Sequence, residues 1–169
     1  LKGLVIDVRV NDGGSDVYGT ALAARLTKKP YTAYSKIARD DPVDVRRFTS
    51  PQQADVLPSP DTTYTGPIAL LTSRYSVSAA ETFTQALLGR GDMVRIGENT
   101  QGVFSDQLLR TLPDGAQFSL PNEIYLTNGR NYDMAGFAPD VPTGLVFAHA
   151  NLAAGKDPEL DAALARLAR

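Results

Sequence analysis

Ser78 stands where a hydroxyl can become a nucleophile. It belongs to the segment Pro67–Glu81, PIALLTSRYSVSAAE. An apolar run, Ile68 to Leu71, passes through a polar turn into an alanine-rich stretch whose first turn holds Ser78-Ala79-Ala80-Glu81. A strand that delivers a serine to a helix N-terminus places the hydroxyl where backbone N–H groups converge, and developing negative charge is stabilised there. The same four residues also spell a capping box, in which the serine accepts from the helix backbone and the glutamate reaches back. A second turn, Asn11-Asp12-Gly13-Gly14-Ser15, follows another apolar run. Its glycines would let a substrate carbonyl approach the backbone N–H groups closely, or would serve only a tight strand-to-helix turn.

Other chemistries are excluded by composition. The chain has no cysteine, which rules out disulfides, thiol catalysis and cysteine metal sites. Its one histidine, His149, cannot build a two-histidine metal site, and no metal or cofactor is expected. A complete Ser-His-Asp triad inside the chain would have to use that residue. A formal net charge of -2 gives no basic surface for nucleic acid or anionic membrane. No apolar stretch reaches the ~20 residues of a membrane span. With 169 residues, 43% hydrophobic and 21% charged, the composition is that of one globular domain with a proper core. The chain opens directly into a buried-strand pattern at Leu1-Lys2-Gly3, which reads as a piece of a longer protein.

The elements that must position these residues follow from periodicity. Leu4–Arg9 reads as a central strand, and 15–26 as a helix with Tyr18, Ala21, Leu22 and Leu26 on its inner face. Residues 31–37 read as a strand. Residues 38–66 read as a long surface excursion with one short strand near Val43–Phe48. Strand 67–72, helix 78–89 and strand Met93–Gly97 come next, with Ala79, Phe83, Ala86 and Leu87 turned inward and Gly89 and Gly91 closing the helix. Two hairpins follow: 107–120 around Pro113-Asp114-Gly115, and 123–133 around Asn128-Gly129. The last helix has Asp157 as N-cap, Pro158 at its first position and a stripe of Leu160, Leu164 and Leu167. Strand-helix alternation followed by hairpins predicts an α/β fold with an antiparallel annex.

Four segments in fixed order carry a resemblance: LKGLVIDVRVNDGGS (1–15), TSRYSVSAAETF (72–83), GENTQGVFSD (97–106) and YDMAGFAPDV (132–141). Together they resemble the protease domain of the carboxyl-terminal processing (tail-specific) serine peptidases, on the tricorn-core side of that family. The resemblance implies a crotonase/ClpP-like fold of ββα units around a twisted central sheet. It implies that residues 1–169 are one catalytic core, that Ser78 is the nucleophile, and that the amide of Ala79 is one oxyanion donor. Gly13 or Gly14 would supply the other. Ser105 and Asp106 would line the site, Glu81 would support the helix start, and the partner would be an extended polypeptide substrate. It also implies a bacterial periplasm or cell-envelope location.

Two departures from the family pattern shape the mechanism. In the branch that uses a Ser-Lys dyad, a lysine follows the GExTxG segment; here that position is Val103, and none of the five lysines, Lys2, Lys28, Lys29, Lys36 and Lys156, is near the motif, so a Ser-Lys dyad is not expected. The tricorn-like branch uses serine, histidine and an acid, with the histidine upstream of the DVRxNxGG strand, before this chain begins. The implied base is therefore a histidine outside residues 1–169, and the fragment alone is expected to be inactive. His149 matches no catalytic position of the family and is assigned to surface or packing. Asp133 stands at the position of the family's acid, where glutamate is usual; Glu123 is the alternative. Two other functions fit the fold: a catalytically silent binding or scaffold protein, and an acyl-CoA enzyme of the crotonase type, against which Ser78 in its motif argues.

Overall fold

The computed structural model describes residues 1–61 and 63–168; Thr62, within the expected excursion, and Arg169 lie outside the described residues. The chain runs through β1 (Leu4–Asp7), β2 (Val10–Asn11), α1 (Asp16–Ala24), β3 (Tyr31–Ala38), β4 (Gln52–Val56), β5 (Ile68–Thr72) and β6 (Tyr75–Ser76). It continues through α2 (Ala79–Leu87), β7 (Met93–Gly97), β8 (Gln107–Thr111), β9 (Gln117–Pro121), β10 (Glu123–Thr127) and β11 (Arg130–Asn131). It ends in β12 (Val141–Pro142), α3 (His149–Ala153) and α4 (Pro158–Leu167).

Two sheets sandwich one helix. Strands β1, β5, β7 and β12 form a parallel sheet in the order β1-β5-β7-β12. Every residue of β5 is buried, as the uninterrupted apolar run requires of a strand covered on both faces. An antiparallel sheet, β11-β10-β3-β4, lies across α2. All nine residues of α2 are buried between them. Phe83, Ala86 and Leu87 join Ile68 and Leu70 with Tyr34, Val56 and Tyr125 in the main core. Each large apolar side chain taken out of water contributes about 1.5–3 kcal/mol, which outweighs the few tenths that helix propensity decides. On the other face of the parallel sheet, Ala163 and Leu167 of α4 pack on Ala69, Leu71 and Ile96.

The expected α/β class with an antiparallel annex is present, and so are both hairpins at their expected turns. Three details differ from the sequence expectation. The excursion's strand is β4, paired with β3, not Val43–Phe48, where only a single Arg39–Phe48 bridge forms. The inner face of α1 is Gly19 and Ala23, while Tyr18 and Leu22 face outward, because α1 packs closely on α2: a Cβ on Gly19 would lie 3.2 Å from the Phe83 Cβ. In α4 the inner face is Glu159 and Ala163, with Leu160 and Leu164 exposed, because Glu159 is drawn inward by an arginine. Among the described residues, no helix is long and apolar enough to cross a membrane.

Candidate active site

Two chain turns meet at one place. β1 leads through β2 into Gly13-Gly14, and β5 leads through β6 into Ser78. β2 and β6 pair in parallel, Val10 opposite Tyr75 and Asn11 opposite Ser76, so both turns leave the sheet side by side. Serine hydroxyls tie the arms together. Ser73 Oγ donates to the Arg9 carbonyl at 2.6 Å, and Ser76 Oγ donates to the Val8 carbonyl at 2.7 Å. The Val77 N–H donates to the Asn11 carbonyl at 3.0 Å. Gly13 then packs directly on the serine: a Cβ there would lie 2.6 Å from Ser78 Cβ and 2.9 Å from the Ala79 nitrogen. With φ of +98° as well, this position admits only glycine.

Ser78 itself has φ +54° and ψ −118°. An ordinary N-cap residue has extended backbone, and a non-glycine residue held here costs on the order of 1–3 kcal/mol. Its surroundings hold it there. The Ser78 N–H donates to the Val103 carbonyl at 3.0 Å and to Glu81 Oε2 at 3.3 Å. The fully buried Glu81 carboxylate also accepts from the N–H groups of Gly102 at 2.7 Å and Val103 at 2.8 Å. Burial pushes the Glu81 carboxyl up; the bonds from Thr100, Gly102, Val103 and Ser78 work against that shift. The Glu81 carboxylate thus reaches back to the Ser78 N–H as the sequence suggested, and it also staples the 102–103 loop to the serine.

Two N–H groups beside Ser78 are left over. Ala79 opens α2, where a helix provides no partner for its amide, and it makes no hydrogen bond among the described residues. The Gly13 N–H is occupied, donating to Asn11 Oδ1 at 2.9 Å. The Gly14 N–H has no partner among the described residues. An unpartnered amide at the serine's helix start and a second in the adjoining glycine turn are donors that could hold the negative charge a carbonyl oxygen takes up on attack by a hydroxyl. The sequence did not distinguish Gly13 from Gly14, yet the Asn-x-Gly spacing of an Asx-turn carries that signal. Alongside the turn runs a cleft of about 570 Å³, walled by Ile6, Val8, Tyr18, Leu22 and Phe83. Tyr18 is 79% exposed and Leu22 44%, so the cleft is open along α1.

The remaining candidates are distributed unevenly. Asp133 is half-buried, and the next residue, Met134, donates its N–H to the Gly102 carbonyl at 2.8 Å, so Asp133 rides on the loop that holds Ser78. Its carboxylate accepts no hydrogen bond among the described residues, while its own N–H donates to Asn131 Oδ1. Glu123 is already committed: it accepts from Lys36 Nζ at 3.3 Å and from the Tyr125 hydroxyl at 3.1 Å. Lys36 also reaches Asp106 at 3.2 Å. Burial alone would lower the Lys36 ammonium, but Asp106 and Glu123 outweigh it and hold it above its ordinary value. Lys36 is thus a fixed cation close to the segment where the Ser-Lys branch keeps its base, although far from it in sequence. Ser105 is buried, and its hydroxyl accepts from the N–H groups of Asn122 and Glu123, so it ties the loop before β8 to the junction of β9 and β10 and does not line the cleft. His149 is exposed at the start of α3.

Comparison with known proteins agrees with this geometry. The family model described as peptidase family S41 matches residues 1–143. A candidate peptidase from Parabacteroides merdae superposes with a TM-score of 0.86 at 26% identity, covering 98% of this chain and 52% of that one. The photosystem II D1 C-terminal processing protease superposes with a TM-score of 0.65 at 26% identity, over 84% of this chain and 34% of that one. The tricorn protease does so with a TM-score of 0.70 at 26% identity, over 98% of this chain and 15% of that one. The chain thus spans about half the length of the first of these proteins and less of the others. The family match spans most of the chain and includes both turns of the site: the chain belongs to peptidase family S41.

Proposed function

We propose that residues 1–169 are the catalytic core of a serine endopeptidase that cleaves extended polypeptides through an acyl-enzyme on Ser78. The observation that carries this reading is the strained Ser78 elbow packed on Gly13, with the Ala79 and Gly14 amides unpartnered among the described residues. Ser78 Oγ attacks the scissile carbonyl while a histidine outside this chain takes its proton. The carbonyl oxygen becomes an oxyanion held by the Ala79 and Gly14 N–H groups. The protonated base then gives its proton to the leaving amine, the C–N bond breaks, and water releases the acyl group by the same route in reverse. Asp133, with an uncommitted carboxylate next to the Gly102 loop, orients the base; Glu123 is spent on Lys36 and Tyr125. Lys36, held as a cation by two carboxylates, does not serve as base. The open apolar cleft beside Gly13 and Gly14 suits an apolar substrate side chain, in tails or unfolded chains. The finer fold reading, a crotonase/ClpP-like superhelix, and a bacterial envelope location belong to the same proposal and rest on the family resemblance.

A fluorophosphonate probe on the full-length protein, followed by peptide mapping, tests this. Labelling at Ser78, lost in Ser78→Ala together with peptide turnover, is the expected result. An unlabelled protein, beside a control hydrolase that labels, would replace the enzyme by a binding protein with an idle serine.

A further inference from the structure

Arg9 is buried to 6% exposure at the junction of β1 and β2, four residues before the Gly13-Gly14 turn. Three carboxylates surround its guanidinium. Asp7 accepts from Nη2 at 2.7 Å and from Nε at 3.0 and 3.2 Å. Asp157, the N-cap of α4, accepts from Nη1 at 2.7 Å and from Nη2 at 2.8 Å. Glu159 of α4, nearly fully buried, accepts from Nη1 at 3.1 Å and from the Thr143 hydroxyl at 2.6 Å. The Phe147 ring covers the guanidinium at 5.3 Å. Planar, forked recognition of this kind fixes orientation as well as charge. Asp7 holds the Arg9 guanidinium above its ordinary value, so the cation persists at every working pH.

This cluster touches none of the groups that react, yet the backbone beside it does. The Arg9 carbonyl accepts from Ser73 Oγ and the Val8 carbonyl from Ser76 Oγ, on the arm that leads to Ser78. Two residues on, Asn11 accepts from Val77 N–H through its carbonyl and from Gly13 N–H through its side chain. We propose that Arg9, clamped by Asp157 and Glu159 of α4, is a positioning residue that fixes the oxyanion turn against the Ser78 elbow. α4 thereby serves as a brace for the site from the opposite side of the parallel sheet. A structural ion pair of no consequence for the site would stabilise α4 alone. A positioning role instead predicts loosening concentrated in residues 10–19.

Two variants of the full-length protein separate these. Asp157→Ser keeps an N-cap oxygen for the Leu160 N–H and removes the carboxylate from Arg9; Arg9→Lys keeps the charge and removes the fork. Amide hydrogen exchange should accelerate at least about tenfold in peptides spanning 10–19 in both variants, with β5 and α2 unchanged. The kinetic readout, which alone rests on the peptidase reading, should show kcat falling about tenfold or more with KM within about threefold, as loss of transition-state stabilisation requires. Exchange unchanged at 10–19, or raised equally everywhere, overturns the proposal. A wild-type protein without turnover would refute the peptidase reading, and the exchange result would still decide the role of Arg9.

Discussion

Ser78 and Glu81 show how one short motif carries two roles. Read alone, Ser-Ala-Ala-Glu is a helix start. The backbone angles of Ser78 set it apart, since a cap needs no positive φ and gains nothing from the strain. Glu81 makes that strain tolerable by holding Ser78, Gly102 and Val103 with one carboxylate. In the proposed mechanism, the choice of acid rests on what each carboxylate already does. Glu123 is bound by Lys36 and Tyr125, whereas Asp133 is free to meet a histidine. Asp133→Asn should therefore lower kcat by at least about a hundredfold, because an amide neither fixes the required tautomer nor stabilises the imidazolium. Glu123→Gln should leave kcat within about threefold, since it faces Lys36 and not the serine. Steady-state kinetics on both variants decide; the reverse ranking would give the role to Glu123. Ser78, the glycine turn and Asp133 were legible as candidates because each stands in a local motif. The choice of Gly14 over Gly13 and the occupation of Glu123 were not, because they depend on side chains brought together from distant strands.

Elements were legible where their periodicity was strong and failed where a specific contact overrode it. β5 and α2 read directly from apolar content. The faces of α1 and α4 did not: the close approach of Gly19 to Phe83 and the pull of Arg9 on Glu159 outvoted the leucine stripes. α4 has a measurable electrostatic consequence. The hydrogen bond from Arg9 holds the Asp157 carboxyl below the usual carboxylate range, helped by the Leu160 N–H. A carboxyl lowered by folding contributes stability that is complete above its unfolded value, about 3.9, and is lost as pH falls through the folded one. The gap in urea midpoint between the wild-type protein and Asp157→Ser should thus be widest near neutrality, narrow as pH falls below about 3.9, and close once the folded carboxyl is protonated. A gap that stays constant across that range would show that Asp157 acts through packing and not through its charge.

At the scale of the whole molecule, the core and the site are arranged differently. α2 is enclosed between two sheets, and its apolar residues share one core with both. The face that bears the amides of Ala79 and Gly14 is open: Tyr18 is 79% and Leu22 44% exposed along the cleft. A domain with an enclosed core and an open catalytic face should fold without help but lack what the face receives. Residues 1–169 expressed alone should therefore melt in a single cooperative transition, and Ser78 should react with a fluorophosphonate at least about a hundredfold more slowly than in the full-length protein, for want of a base. Scanning calorimetry and labelling time courses on the two proteins measure both halves of this expectation. If the short protein labels as fast as the long one, the base lies within residues 1–169. His149, the sole histidine and an exposed one, would then be the first residue to replace. If the short protein labels slowly and also fails to melt cooperatively, the open face is part of the folding unit. Sequence outside residues 1–169 in the full-length protein would then be needed for structure before catalysis.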